Sequence, residues 1–156
     1  MFNKIILKIH KKLLKKEKTI ATAESCSGGL LASLLTSLSG SSNYFIFGAV
    51  TYSNKSKEII LDIPAKIITH YGAVSREVAR LMAQNIRKKT HTDFGLSITG
   101  IAGPTGATAN KPVGTVFIAF ADKNKTLCRL FRFSGKRESI RKKTVGEALR
   151  LLYSQI

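Results

Sequence analysis

The stretch that most limits what this chain can fold into is Thr19 to Ala32, TIATAESCSGGLLA. Thr19-Ile20-Ala21-Thr22-Ala23 alternates β-branched and small residues, which predicts a strand. A polar, glycine-rich elbow follows, Glu24-Ser25-Cys26-Ser27-Gly28-Gly29. Leu30, Leu31, Leu34, Leu35 and Leu38 then recur at helical spacing. A strand that turns directly into a helix leaves the turn residues at a sheet edge, beside the helix's unpaired N–H groups. A hydroxyl or thiol there is exposed, and negative charge developing near it is stabilised. The plainer reading is structural: Ser25 or Ser27 caps the helix, and Gly28 and Gly29 permit close packing. From the elbow alone the structural reading is favoured.

The rest of the chain supplies an alternation of helices and strands. Residues 2 to 16 form an amphipathic helix with Ile5, Ile6, Ile9, Leu13 and Leu14 on one face. Packing of that stripe on the domain's own sheet is favoured over a membrane surface. FIFGAVTY at 45–52 reads as a buried strand. Ser53 or Asn54 caps a short helix through Ile59, Ile60 and Leu61. Pro64 to Tyr71 is a further short helix, and Ser75 caps a long one from Arg76 to Lys89. Strands are expected at Phe94–Ile98, Val113–Ala121 and Thr126–Phe133, the last two joined by the turn Asp122-Lys123-Asn124-Lys125. A basic helix from Arg137 to Tyr153 closes the chain. The order α β α β α α β β β α implies one α/β domain over residues 1–156, a three-layer α/β/α sandwich on a mixed, mostly parallel sheet.

Composition narrows the function classes. No apolar run reaches the roughly 18 to 20 residues that cross a bilayer, and lysines interrupt the N-terminal apolar residues, so no signal peptide or membrane partner is expected. Cys26 and Cys128 are far apart without CxxC spacing, which suggests neither a zinc site nor a disulfide framework; a cytoplasmic location is the expectation. The charge is extreme, 26 Lys+Arg against 9 Asp+Glu, or +17. It is spread along the chain and carries no nucleic-acid recognition signature, so no specific nucleic acid is expected, while attraction of phosphorylated small molecules is.

Three strand ends present polar groups: Ser25, Tyr52 with Lys57, and Thr99. In open α/β sheets such ends face a common crevice. The available chemistry is a hydroxyl nucleophile with no histidine–carboxylate partner, for which a lysine can act as base if burial or neighbouring cations keep it neutral. The plainer alternatives are a solvated Lys57 and a Tyr52 at the rim of the core. Thr99-Gly100-Ile101-Ala102-Gly103-Pro104-Thr105-Gly106 is a second glycine-rich loop, and it matches neither a dinucleotide nor a Walker fingerprint.

Taken together, TAESCSGG at 22–29, VTYSNKSK at 50–57, YGAVS at 71–75, SITGIAGPTG at 97–106, KPVGTV at 111–116 and GKRESIR at 135–141 resemble the CinA C-terminal domain family. The likeness runs in order from Lys18 to Leu152, and is to the stand-alone form. Enzymatic members are nicotinamide mononucleotide (NMN) deamidases. The resemblance therefore implies a serine–lysine amidohydrolase that uses no metal or organic cofactor and forms nicotinic acid mononucleotide and ammonia. Matched by position, Ser25 is the nucleophile, Lys57 its base, and Tyr52 a hydrogen-bonding partner that holds or relays the proton. Thr99 helps position substrate or dyad, and Arg137 meets the phosphate. Gly28, Gly29 and Gly100 line the substrate, and the N–H groups from Cys26 to Gly29 are the expected oxyanion donors. Cys26 is a rival nucleophile expected to pack instead. Two departures bear on substrate grip: Lys136 stands where members often carry an acid, and Thr105-Gly106-Ala107 where they often have Asp-Gly-Gly. Self-association into a homo-oligomer is expected. The alternatives are a non-catalytic module contacting polyanions, or a hydrolase of another phosphorylated amide.

Overall fold

The computed structural model describes residues 2–156. The elements are α1 (Asn3–Lys16), β1 (Ile20–Glu24), α2 (Leu30–Leu35), a 3-10 turn (Ser41–Asn43), β2 (Phe45–Val50), α3 (Asn54–Leu61), α4 (Ala65–Tyr71), α5 (Arg76–Thr90), β3 (Phe94–Gly100), β4 (Thr115–Ala121), β5 (Thr126–Arg132) and α6 (Arg137–Gln155). The expected α/β order is present. The strands form one sheet in the order β2-β1-β3-β4-β5. β1 pairs in parallel with β2 and β3, whereas β4 is antiparallel to both β3 and β5. Four strands thus point one way and β4 alone runs against them.

Residue size alternates with the strand period and decides how each face is covered. Ile20, Leu96, Ile98, Val116, Ile118 and Phe120 pack with Ile6, Ile9 and Leu13 of α1, Leu31 and Leu35 of α2, and Ile140, Leu149 and Leu152 of α6. The N-terminal helix therefore belongs to this core, as its apolar stripe predicts. The opposite face is built from small residues. Ala21 and Ala23 meet Leu61, Val78, Met82 and Ile86, while Ala119 and Ala121 meet Ala79 and Ala83 of α5. Small side chains let α5 lie close to the sheet. At Gly95 the approach is so tight that a Cβ would stand 2.1 Å from the Ala83 carbonyl oxygen. Ser97 completes the seam by donating its hydroxyl to the Ala79 carbonyl at 2.6 Å.

One expectation is corrected. β2 is an edge strand paired only with β1, not a strand buried on both faces. Ile46, Phe47 and Val50 are about half exposed, because β2 lies beyond the reach of the helices that cover the central strands. An apolar run reads the same at an edge as at the centre, so sequence alone could not separate them.

Candidate active site

The parallel strands β1, β2 and β3 end side by side, and backbone hydrogen bonds carry the ladder one residue further. Ser25 N–H donates to the Ile98 carbonyl at 3.0 Å, and Thr51 N–H donates to the Glu24 carbonyl at 2.8 Å. These bonds fix the start of the elbow against the chain that leads into α3. Ser53 caps α3 by accepting from the Ser56 N–H at 3.0 Å. That cap sets the helix so that Lys57, its fourth residue, points back under the strand ends.

Lys57 is 1% exposed, which excludes the solvated lysine reading. Its Nζ lies 3.3 Å from Ser25 Oγ and donates to the Thr51 carbonyl at 2.7 Å. The Tyr52 and Ser53 carbonyls stand at 3.4 and 3.5 Å. Burial disfavours the ammonium and pulls the Lys57 pKa from 10.5 down to about 8, with the neighbouring Cys26 acting weakly in the opposite sense. Desolvation, rather than the abundant cations, thus produces the shift. A neutral Lys57 has two N–H bonds for the surrounding carbonyls and one lone pair for the Ser25 hydroxyl.

The elbow is held differently from the expectation. Neither Ser25 nor Ser27 caps α2; its N-cap is Gly29, with φ +89° and no side-chain cap. The buried Glu24 carboxylate takes that role, accepting the N–H groups of Gly29 and Leu31 at 3.1 Å each and of Ala32 at 2.8 Å. The positive end of α2 is therefore already occupied by an anion. Gly28 N–H donates to the Ser25 carbonyl. The oxyanion expectation is thereby narrowed: Gly28 and Gly29 have their donors committed and Ser27 is fully buried, which leaves the Cys26 N–H as the elbow's candidate donor.

Tyr52 also departs from expectation. The residue is 57% exposed, and its hydroxyl accepts from Arg137 Nη2 at 2.8 Å rather than entering the Ser25–Lys57 pair. Only its backbone carbonyl faces Lys57. Arg137, at the start of α6, also donates from Nη1 to the Gly103 carbonyl at 2.8 Å, so it ties the β2 end to the second glycine loop. Thr99 is buried at the β3 end and donates to the Ala73 carbonyl at 2.8 Å, which anchors the α4–α5 turn. Gly28, at φ +61°, allows the elbow's left-handed turn. Gly100 has a packing reason: a Cβ there would lie 2.7 Å from Val116 Cγ2 and 2.9 Å from the Thr115 carbonyl oxygen.

Two residues that sequence reasoning passed over help build the site. Glu24 locks the elbow as described. Arg141 donates to the Ser27 carbonyl from Nη2 at 2.7 Å and from Nε at 3.3 Å. It stands four residues after Arg137 on α6, and that i, i+4 spacing is the signal by which it could have been found. Cys26 is 5% exposed and packs in the core. Burial pushes its thiol up to about 11, which leaves little thiolate to compete with Ser25.

A family model described as the CinA C-terminal domain matches residues 2–156. A CinA-like protein of Syntrophus aciditrophicus is 51% identical over 141 residues, covering 90% of this chain and 34% of that protein. A putative competence-damage inducible protein of Thermoanaerobacter pseudethanolicus is 52% identical over 139 residues, covering 88% and 34%. The chain thus spans 34% of the length of these curated relatives. Among solved structures, the competence/damage inducible protein CihA from Agrobacterium tumefaciens superposes with a TM-score of 0.94 at 37% identity, covering 97% of this chain and 93% of that one. A CinA superfamily protein from Klebsiella pneumoniae gives 0.95 at 27%, covering 99% and 97%. With the match extending over the whole described fold and its strand-end cluster, the chain belongs to the CinA C-terminal domain family.

Proposed function

We propose that this chain is a serine–lysine amidohydrolase that deamidates nicotinamide mononucleotide to nicotinic acid mononucleotide and ammonia. The observation that carries this reading is the buried Lys57 amine 3.3 Å from Ser25 Oγ, with a pKa lowered toward neutrality. A buried amine that gives up its proton more readily than a free lysine, beside a hydroxyl, is what a general base requires.

In this reading Ser25 Oγ attacks the carboxamide carbon as its proton passes to Lys57 Nζ. The new ammonium is held by the Thr51 carbonyl, which already accepts from Nζ at 2.7 Å. The carbonyl oxygen gains negative charge and is met by the N–H of Cys26. Lys57 returns its proton to the amide nitrogen as the C–N bond breaks and ammonia leaves. Water then adds to the acyl–Ser25 ester, giving its proton to Lys57. Collapse of that adduct returns the proton to Ser25 Oγ and frees the nicotinic acid group, which releases its own proton to solvent as the carboxylate. Arg137, anchored on Tyr52 and Gly103, offers its remaining N–H groups to the substrate phosphate. The net charge of +17 draws the phosphorylated substrate in.

Ammonia release from NMN, measured with chelator present, tests this reading. Wild type is expected to turn over, and Ser25→Ala and Lys57→Ala to lose turnover while remaining folded. A folded wild type that releases no ammonia from NMN, but does so from another phosphorylated amide, would replace the substrate and keep the dyad. Variants that retain near wild-type rates would remove the dyad itself.

A further inference from the structure

We propose that the groove bounded by the start of α1, the end of β5 and the outer face of α6 is a second ligand site, for a nucleoside di- or triphosphate. The groove is open to solvent and spans about 1140 Å³, and neither Ser25 nor Lys57 lines it. That volume exceeds the roughly 300–1000 Å³ usual for small-molecule pockets, so a nucleotide with several phosphates fits within it.

Charge selects a multivalent anion. Lys4, Arg132, Lys136, Lys142, Lys143 and Arg150 line the groove against two carboxylates, Glu138 and Glu147. Both carboxylates are already paired, Glu138 with Lys142 and Glu147 with Arg150. Lys143 Nζ is committed to the Ser134 carbonyl at 2.7 Å. Lys4, Arg132 and Lys136 have no ion-pair partner among the described residues. They come from α1, from the last residue of β5 and from the residue preceding α6. Three elements therefore bring uncompensated positive charge to one concavity, where a single proton-poor anion relieves the repulsion.

The floor selects the rest of the ligand. Phe2, Ile5 and Phe133 give it an apolar, partly aromatic surface. Phe133 is backed by Phe131, stacked at 5.5 Å with an interplanar angle of 8°. The Phe2 ring lies so close to α6 that a Cβ at Gly146 would stand 3.2 Å from its Cε1. A planar base rests on such a floor while its phosphates reach the cationic rim. A compact ligand combining both parts fills the concavity, whereas a duplex polyanion would use the cations and leave the apolar floor uncovered. This inference does not depend on the amidase reading.

Calorimetric titration with ADP tests it, using wild type, the double variant Lys4→Glu/Arg132→Glu, and Arg137→Ala. The expected result is one ADP bound per chain, weakened at least about tenfold in the double variant and little changed in Arg137→Ala. Both substituted groove residues are exposed, so an unchanged urea midpoint in the double variant is expected alongside. Absence of binding at millimolar ADP overturns the site, as does equal affinity in the double variant. Inorganic triphosphate binding as tightly as ATP removes the role of the apolar floor and overturns the nucleotide assignment. A short oligodeoxythymidine that displaces ADP and binds more tightly replaces the ligand with single-stranded nucleic acid.

Discussion

Arg141 on α6 holds the Ser27 carbonyl of the elbow with two guanidinium N–H groups, across 114 residues of sequence. Ser27 directly follows Cys26, whose N–H is the elbow's candidate oxyanion donor. The arginine thus fixes the turn that aims that N–H, without touching the reacting atoms. Arg141→Ala is expected to lower kcat for ammonia release by about 10- to 100-fold with KM nearly unchanged, the scale on which small misplacements act. Arg141→Lys, which keeps the charge but not the fork, should recover only part of the loss. A rise in KM at constant kcat would instead place Arg141 on the substrate.

The lowered pKa of Lys57 has a direct consequence for rate. Protonated Lys57 cannot accept the Ser25 proton, so the active form accumulates as pH rises through about 8. At pH 7 roughly a tenth of the enzyme carries the neutral base. A profile of kcat/KM against pH should therefore climb about tenfold per unit below 8 and flatten above it. A flat profile from pH 6 to 9 would be incompatible with Lys57 as the base.

Tyr52 contributes a backbone carbonyl to Lys57 and a hydroxyl to Arg137. Tyr52→Phe deletes only the second. Its effect should fall on substrate affinity, a several-fold rise in KM, since a solvent-exposed hydrogen bond contributes only about 0.5–1.5 kcal/mol, with the inflection near pH 8 unmoved. A fall in kcat of about 100-fold or more would restore a proton-relay role for the hydroxyl.

Cys26 follows Ser25 directly, yet its thiol is buried and its pKa is pushed up to about 11. Cys26→Ala should keep activity within a few-fold, and native protein should react with iodoacetamide at Cys26 far more slowly than protein unfolded in urea. Full inactivation by stoichiometric alkylation of folded protein would reverse the ranking of the two nucleophiles.

Gly95 marks where α5 meets the sheet, and a Cβ there would overlap the Ala83 carbonyl. Two backbones collide at that point, so no side-chain rotation relieves it. Gly95→Ala should cost about 3 kcal/mol or more, at the upper end of overpacking penalties, read as a lowered urea midpoint. A midpoint equal to wild type would show that α5 does not pack at this separation.

Much was legible in the sequence because it depends on local pattern. The strand, elbow and helix at 19–35 follow from β-branched residues, glycines and leucine spacing, and Ser53 and Ser75 cap α3 and α5 as their positions indicate. Ser25 and Lys57, 32 residues apart, were paired through resemblance and strand-end topology, and they lie 3.3 Å apart. What only the tertiary structure decided are the competitions for single donors and acceptors. Glu24 reads as one more polar residue until its carboxylate is seen to take three N–H groups at the start of α2, including that of Gly29, which removes Gly29 from the candidate oxyanion donors. The Tyr52 hydroxyl goes to Arg137 because α6 begins beside the β2 end, a proximity of residues 85 apart. Burial of Lys57 likewise arises from three strand ends and a capped helix closing around one amine, and desolvation is a property of that enclosure rather than of the residue. Periodicity determines which segments become helices and strands; the allocation of each hydrogen bond waits on which segments meet.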